Sequence, residues 1–263
     1  MTNESTQHGS DGREGPAAII LAAGKGTRMQ SDLPKVCHPI GGRPMVCAVA
    51  DACLEAGCTR LVVVVGYKQE LVREALADYG GQVEYAVQEE QLGTGHAVMC
   101  AADAFGDRPS GDVFVLCGDG PLIRAETLRT VLKAHREAGA AATLATSVID
   151  DPAGYGRIVR DGSGRFTAIV EQKNATPEQL KIREVNPSYY CFEAGALFGA
   201  LKKVGRNEKT GEYYITDVPT LLLEDGGRVE VIEAVPPEDV LSINTTEQLA
   251  EVDRIFRSRT GAR

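Results

Sequence analysis

No stretch of the 263-residue sequence approaches the ~18–20 consecutive apolar residues of a membrane span. The opening residues, MTNESTQHGSDGREGP, hold no apolar run either. They lack the hydrophobic core of a secretory signal and are expected to form a disordered, solvated tail over 1–16. A basic excess is missing too. The formal net charge of −9 argues against general nucleic-acid binding and against attraction to anionic membranes. Any anionic ligand therefore has to be held by a local basic cluster. Seven cysteines, at 37, 47, 53, 58, 100, 117 and 191, make no C-x-x-C pair, and most lie inside apolar runs. Their odd number and placement favour reduced thiols in the core of a cytoplasmic protein over a zinc site or a disulfide framework. There is no internal repeat, no interior low-complexity tract and no hexapeptide repeat of the β-helix kind.

What is present is a full core. With 43% hydrophobic and 25% charged residues, the chain can bury one large domain or two small ones. Short β-branched runs at 18–21, 61–65, 83–87 and 113–116 alternate with helical spacing of apolar residues. The helical sets are Met45, Val46, Val49, Ala50, Cys53 and Leu54, then Leu71, Val72, Ala75 and Leu76, then Ala97, Val98, Ala101 and Ala102. Continuous apolar strands alternating with helices predict a doubly wound, mostly parallel α/β sheet covered on both faces. Ligands in such folds sit at the carboxyl ends of the strands.

The second half is more mixed. A helix near 126–138 and a strand near 143–148 precede GYGRIVRDGSGRFTAIVEQ at 154–172, which reads as a β-hairpin turning at 161–164. A strand near 185–192, helices near 194–203 and 215–224, a strand near 229–235 and a closing amphipathic helix near 247–257 follow. The expected domain covers 17–258, residues 150–226 form a smaller mixed lobe walling one side of a cleft, and 259–263 are a short tail.

One stretch, LAAGKGTRMQSDLPK at 21–35, follows the first strand directly and crowds two glycines, an arginine and a lysine together. A dinucleotide fingerprint needs a third glycine where Met29 stands, and a Walker A motif needs Ser or Thr where Gly26 follows Lys25. Neither standard reading holds. The residues still suit a phosphate site: Gly24 and Gly26 permit positive φ and close backbone approach, Arg28 offers a planar fork, and Lys35 a mobile charge set by Pro34. The alternative is an ordinary βα loop with surface charges.

That loop, L-x-x-G-x-G-T-R-M with P-K at 34–35, resembles the sugar nucleotidyltransferase (nucleoside-diphosphate-sugar pyrophosphorylase) family. More narrowly, QEEQLGTGH at 88–96, G-D at 118–119 with P-L at 121–122, DPAGYGRI at 151–158, IVEQK at 169–173 and GEYYITD at 211–217 are similar to one domain. It is the uridyltransferase domain of bacterial bifunctional N-acetylglucosamine-1-phosphate uridyltransferase/glucosamine-1-phosphate acetyltransferases. The resemblance runs in order from about 17 to 257, and six blocks in sequence carry it where any one alone would not.

The resemblance implies a Rossmann-like nucleotidyltransferase fold and transfer of a uridylyl group from UTP to N-acetylglucosamine 1-phosphate, a step in cell-wall precursor synthesis. A sugar-phosphate oxygen attacks the α-phosphorus and pyrophosphate leaves, so alignment of two anions and charge neutralisation carry the catalysis. Arg28 is expected on the pyrophosphate and Lys35 between the reacting phosphates. Asp119, at the end of the fourth strand, and Asn244 would hold Mg²⁺ with the substrate phosphates. The structural alternatives are a turn role for Asp119 before Gly120-Pro121 and a helix-start role for the Asn244 region. Leu21, Ala22, Gly24, Gly26, Gln88, Gln91, Gly93 and Thr94 are expected around the nucleotide. Gly156, Glu171, Asn186, Tyr214 and Thr216 are expected around the sugar, with core packing the alternative for Tyr214. His96 reads as structural, and no general base is assigned.

Three positions depart from the family pattern. Cys117 stands where an aromatic is usual, Gly120 where a larger apolar residue is, and Asn186-Pro187-Ser188 where N-T-G is. They leave the reaction class in place and put the sugar in question, with another hexosamine or hexose 1-phosphate as the rival. A triphosphate other than UTP, and a sugar-nucleotide-binding protein without turnover, are further alternatives. The β-helix acetyltransferase half has no counterpart here, so acetyl transfer is not expected and the oligomeric state stays open.

Overall fold

The computed structural model of the chain describes residues 15–29 and 31–261. The tail expected over 1–16 lies outside these residues except for Gly15 and Pro16. A nine-stranded sheet forms the body. In chain order its first half holds β1 (Ala17–Ala22), the two-residue strands β2 (Pro39–Ile40) and β3 (Arg43–Pro44), which form a separate small hairpin, α1 (Met45–Glu55), β4 (Arg60–Val65), α2 (Gln69–Ala75), β5 (Val83–Val87), α3 (Thr94–Cys100), β6 (Asp112–Cys117) and α4 (Ala125–Ala138). The second half adds β7 (Ala142–Val148), β8 (Gly156–Arg160), β9 (Phe166–Val170), β10 (Glu184–Glu193), α5 (Ala194–Leu201), α6 (Val218–Glu224), β11 (Val229–Glu233) and α7 (Thr246–Thr260).

The strand order is β11-β7-β10-β6-β1-β4-β5. β6, β1, β4 and β5 run parallel, as does β11 beside β7. The expected alternation is thus realised, and its cause is visible in β1 and β4. Ala18 and Ile20 belong to the core on one face and Ile19 to the core on the other, and Leu61, Val63 and Val65 are likewise opposed to Val62 and Val64. The interior of each strand is buried on both faces, each large aliphatic contributing roughly 1.5–3 kcal/mol. The positions that are not fully buried stand at or near the ends, among them Arg60 opening β4 and Leu21 near the close of β1. Helices α1, α4 and α7 cover the first face through Val49, Leu128 and Val252. Helices α3, α5 and α6 cover the second through Val98, Leu197 and Leu222.

Residues 150–226 supply both a wall and the middle of this sheet. Tyr189–Phe192 of β10 insert antiparallel between β6 and β7, and Val185 and Asn186 pair with β8. The β8–β9 hairpin turns on Asp161, whose Oδ1 accepts from the backbone N–H groups of Ser163 (2.9 Å) and Arg165 (3.0 Å). The helix expected over 215–224 begins as a 3₁₀ turn, Ile215–Asp217, before α6. Pro219 then stands in the first turn of α6, where a missing N–H breaks no bond. Helix α5 stops at Leu201, short of the expected 203, and α7 continues to Thr260, into the expected tail. Among the described residues no helix is long and apolar enough to cross a membrane, and all seven cysteines are free.

Candidate active site

β1 and β6 lie in register, Leu21 opposite Cys117, so the loops that follow them leave the sheet at one level. The Gly118 N–H donates to the Leu21 carbonyl at 2.9 Å, which sets Asp119 over the glycine loop. Gly26 uses its freedom: its φ is +66°, and a Cβ there would lie 2.6 Å from Cβ of Lys35. Gly24 corrects the expectation of a positive φ, for it is not among the residues with one. A Cβ there would meet nothing within 4 Å, so this glycine leaves open space in the cleft.

Lys35 opens a short 3₁₀ turn after buried Pro34 and sends its ammonium to the Asp119 carboxylate and to Oδ1 of Asn244 (2.8 Å). Arg28 donates to the same Asn244 oxygen at 2.6 Å. Asn244 is itself fixed by the first turn of α7. Gln248 Oε1 accepts from the N–H groups of Asn244 (2.7 Å) and Thr245 (3.2 Å), and Thr245 Oγ1 accepts from the Gln248 N–H, a capping box. The Ile243 N–H donates to the Asp119 carbonyl at 3.3 Å, tying that segment to the β6 loop. Asp119 and Asn244 both sit at helix or turn starts, as the structural alternatives hold, and both also face the cleft.

Two chambers meet here. One, of about 470 Å³, is lined by Leu21, Gly24, Gly26, Gln88, Gln91, Gly93 and Thr94 of the expected nucleotide set. The other, of about 460 Å³, is lined by Gly156, Glu171 and Asn186 of the expected sugar set. Arg28, Cys117, Asp119 and Asn244 line both, and Lys35 joins them from the first chamber. A small cluster of charge stands where the two spaces open into each other.

In the first chamber Gln88 is 4% exposed, and its amide nitrogen donates to the Gly93 carbonyl and faces His96 Nδ1, each at 3.1 Å. His96 is thus structural in the expected sense, and it orients Gln88. Gln91 donates to the Ala23 carbonyl at 2.8 Å. Gly93 has φ +98°, and a Cβ would stand 2.6 Å from the Tyr213 carbonyl, so only glycine lets α3 start against that segment. Thr94 Oγ1 accepts from the Ile215 N–H at 3.2 Å, closing the same contact.

In the second chamber burial pushes the Glu171 carboxyl above its usual range, and the Thr216 hydroxyl, donating to Oε1 at 3.1 Å, pulls it back. Asn186 donates through Nδ2 to the Tyr190 hydroxyl at 2.6 Å and accepts from the Ser188 N–H at 3.2 Å. Between the chambers, burial first and the Asp119 charge next push the Cys117 thiol up to about 12, so it stays neutral.

Three expected residues are not brought to the walls. Ala22 is 1% exposed and its neighbour Ala23 lines the nucleotide side instead, because strand alternation turns Ala22 into the core. Tyr214 packs inside, with its hydroxyl 2.7 Å from Thr210 Oγ1. Thr216 reaches the sugar side only through Glu171. Conversely, Lys25, Thr27, Val36, Ala97 and Glu212 line the first chamber, and Tyr155, Ser242 and Gln248 the second, without having been singled out. Lys25, Thr27, Tyr155 and Glu212 lie inside the quoted motifs, which is the signal that could have found them.

The solved apo-UDP-glucose pyrophosphorylase superposes with a TM-score of 0.73 over 93% of this chain and 98% of that one, at 17% identity, which shows the Rossmann-like nucleotidyltransferase fold. The protein named Bifunctional protein GlmU in Geobacter metallireducens is 51% identical over 92% of this chain and 51% of its own length. Its namesake in Geobacillus thermodenitrificans is 48% identical over 92% of this chain and 52% of its own. The chain therefore spans about half the length of the curated relatives it matches. The nucleotidyl transferase family model matches 17–235, a span that takes in the glycine loop, both chambers' strands and Asp119, so the chain belongs to the nucleotidyl transferase family.

Proposed function

We propose that the chain is a UDP-N-acetylglucosamine pyrophosphorylase-like cytoplasmic enzyme, transferring a uridylyl group from UTP to N-acetylglucosamine 1-phosphate with release of pyrophosphate. The observation that carries the reading is the shared wall. Two chambers of nearly equal volume open onto one cluster, Arg28, Asp119 and Asn244 with Lys35, which is where two phosphates have to meet. The resemblance of the six motifs names the two substrates.

The chain's own residues then have simple tasks. Gln88 spends its amide hydrogens inside the protein, which leaves its oxygen to accept from the N3–H of uracil. Arg28 holds the pyrophosphate side and Lys35 the junction, drawing the attacking and attacked phosphates together against their repulsion. Glu171 and Asn186 take the sugar. In-line attack by the sugar-phosphate oxygen on the α-phosphorus then needs no nucleophile from the protein, and neutral Cys117 offers none.

A divalent ion fits this site on the chemistry of its donors. Asp119 and Asn244 offer two hard oxygens that already converge on one cation, the Lys35 ammonium. Among the described residues no group of three or more His, Cys, Asp or Glu gathers to hold a metal. An ion with few protein ligands and phosphate oxygens for the rest, the habit of Mg²⁺, matches that set. When bound it neutralises phosphate charge.

The test is pyrophosphate release from UTP, Mg²⁺ and N-acetylglucosamine 1-phosphate, run against a panel of nucleoside triphosphates and hexose or hexosamine 1-phosphates. Release greatest with the named pair is expected. Folded protein that releases no pyrophosphate with any pair rejects the reading, and a better sugar corrects it.

A further inference from the structure

Outside glycine, only Lys68 (φ 45°) and Ser188 (φ 65°) have positive φ among the described residues. Lys68 marks the start of α2. Ser188 stands in the irregularity of β10, between Val185 and Tyr189, where pairing with β7 is interrupted. A left-handed backbone is costly to any residue with a β carbon, and such strain persists where the surroundings impose it and a function keeps it. The surroundings are clear. Pro187 precedes it, and Asn186, anchored on the Tyr190 hydroxyl at 2.6 Å, accepts the Ser188 N–H at 3.2 Å. Glycine would satisfy this turn without strain, and the family resemblance expects glycine here. What serine adds is a hydroxyl. Ser188 lines the sugar-side chamber with Gly156, Glu171, Asn186 and Asp119. Its side chain lies beside the Cys117 thiol and the buried Tyr190 hydroxyl. The departures from the family pattern at 117 and 188 therefore touch.

We propose that Ser188 is a sugar-recognition residue of this chain. Its hydroxyl, held in the sugar-side chamber by a left-handed backbone, hydrogen-bonds a polar group on the ring of the sugar 1-phosphate. This rests on reading that chamber as the sugar site. The hydroxyl already hydrogen-bonds within the protein, to the Cys117 thiol and the Tyr190 hydroxyl, and its remaining lone pair suits a ring O–H or an amide N–H as donor.

The test compares S188G, S188A and E171Q by steady-state kinetics and thermal unfolding. S188G removes the hydroxyl and the strain together, so its midpoint should stay or rise, and misfolding does not confound it. S188A removes the hydroxyl alone. Both should raise KM for the sugar 1-phosphate roughly three- to tenfold, the loss of one neutral hydrogen bond, with KM for UTP unchanged. An unchanged sugar KM in S188G and S188A beside a raised one in E171Q overturns the role of Ser188 alone. An unchanged sugar KM in all three overturns both this role and the assignment of the chamber. A rise in both KM values by the same factor overturns it too, because it marks a general loss of the cleft.

Discussion

The nucleotide-side chamber is walled by loops that leave parallel strands at one level, whereas the sugar-side chamber is assembled from the antiparallel β8, β9 and the bulged β10. On the first side glycines and backbone groups dominate: Gly24, Gly26 and Gly93 stand among its walls, and Gln88 is turned by a main-chain carbonyl. On the second, side chains hold one another, Thr216 on Glu171 and Tyr190 on Asn186. A backbone-lined space reads charge and flat shape, and at Gly26 and Gly93 an added Cβ would meet Lys35 or the Tyr213 carbonyl at 2.6 Å. A space lined by side chains can change its preference through single residues, and the Ser188 departure falls there, while Cys117 stands on the wall the two chambers share. The two sides should therefore answer differently to substitution, and the residues they share should affect both.

The shared wall should show the largest effect. Lys35→Ala and Asp119→Ala are each expected to lower kcat by about 10²–10³-fold or more, the scale of removing one preorganised charge contact from a transition state. Far-ultraviolet circular dichroism should show both variants folded. Full activity in either would free that residue from the junction.

Glu171 separates the two sides. Glu171→Gln should raise KM for the sugar 1-phosphate by roughly 10- to 100-fold, a charge-assisted hydrogen bond, and leave KM for UTP in place. The pH profile sharpens this. Burial raises the Glu171 pKa above the usual 4.5, so on acidification the carboxylate takes up its proton earlier than an exposed glutamate would. Sugar affinity should fall through that raised pKa, and Glu171→Gln should flatten the limb. The stability linkage has the opposite sign. A raised folded pKa means that this group's contribution is fully present below the unfolded value and is lost as pH rises through the folded one.

Gly93→Ala probes the backbone-lined side. The added Cβ meets the Tyr213 carbonyl at 2.6 Å in a left-handed conformation. A cost of about 1–3 kcal/mol is expected, read as a fall of several degrees in the unfolding midpoint with KM for UTP raised more than KM for the sugar. The smallest effect concerns Cys117. With its thiol held up at about 12, it should alkylate slowly near neutral pH, and rapid labelling would contradict its neutral state.

The same contrast explains what the sequence disclosed. Strands β1, β4 and β6 announce themselves, because burial on both faces demands unbroken apolar runs such as LVVVV at 61–65. By contrast β5, VEYAV at the edge of the sheet, is only partly buried and reads as a strand by its β-branched and aromatic residues. The glycine loop and Lys35 stand out by their place after the first strand, whereas Asp119 reads from spacing alone as a turn residue and owes its expected role to the resemblance. The insertion of β10 between β6 and β7 does not follow, because periodicity says that a segment is a strand and nothing about its neighbours. Tyr214 and Thr216 were nominated with their motif, but a motif says which residues recur together and not which of them faces the cleft. Gln248 needed the fold: its role at Asn244 exists only through the capping box of α7.

The central claim is that one cleft brings the phosphates of two substrates to Arg28, Lys35, Asp119 and Asn244. A crystal structure of the enzyme soaked with UDP-N-acetylglucosamine and Mg²⁺ tests it most directly. The expected density has uracil against Gln88, the diphosphate at the shared wall and the sugar between Glu171 and Asn186. A sugar nucleotide bound elsewhere, or bound here with base and sugar exchanged between the chambers, would contradict it.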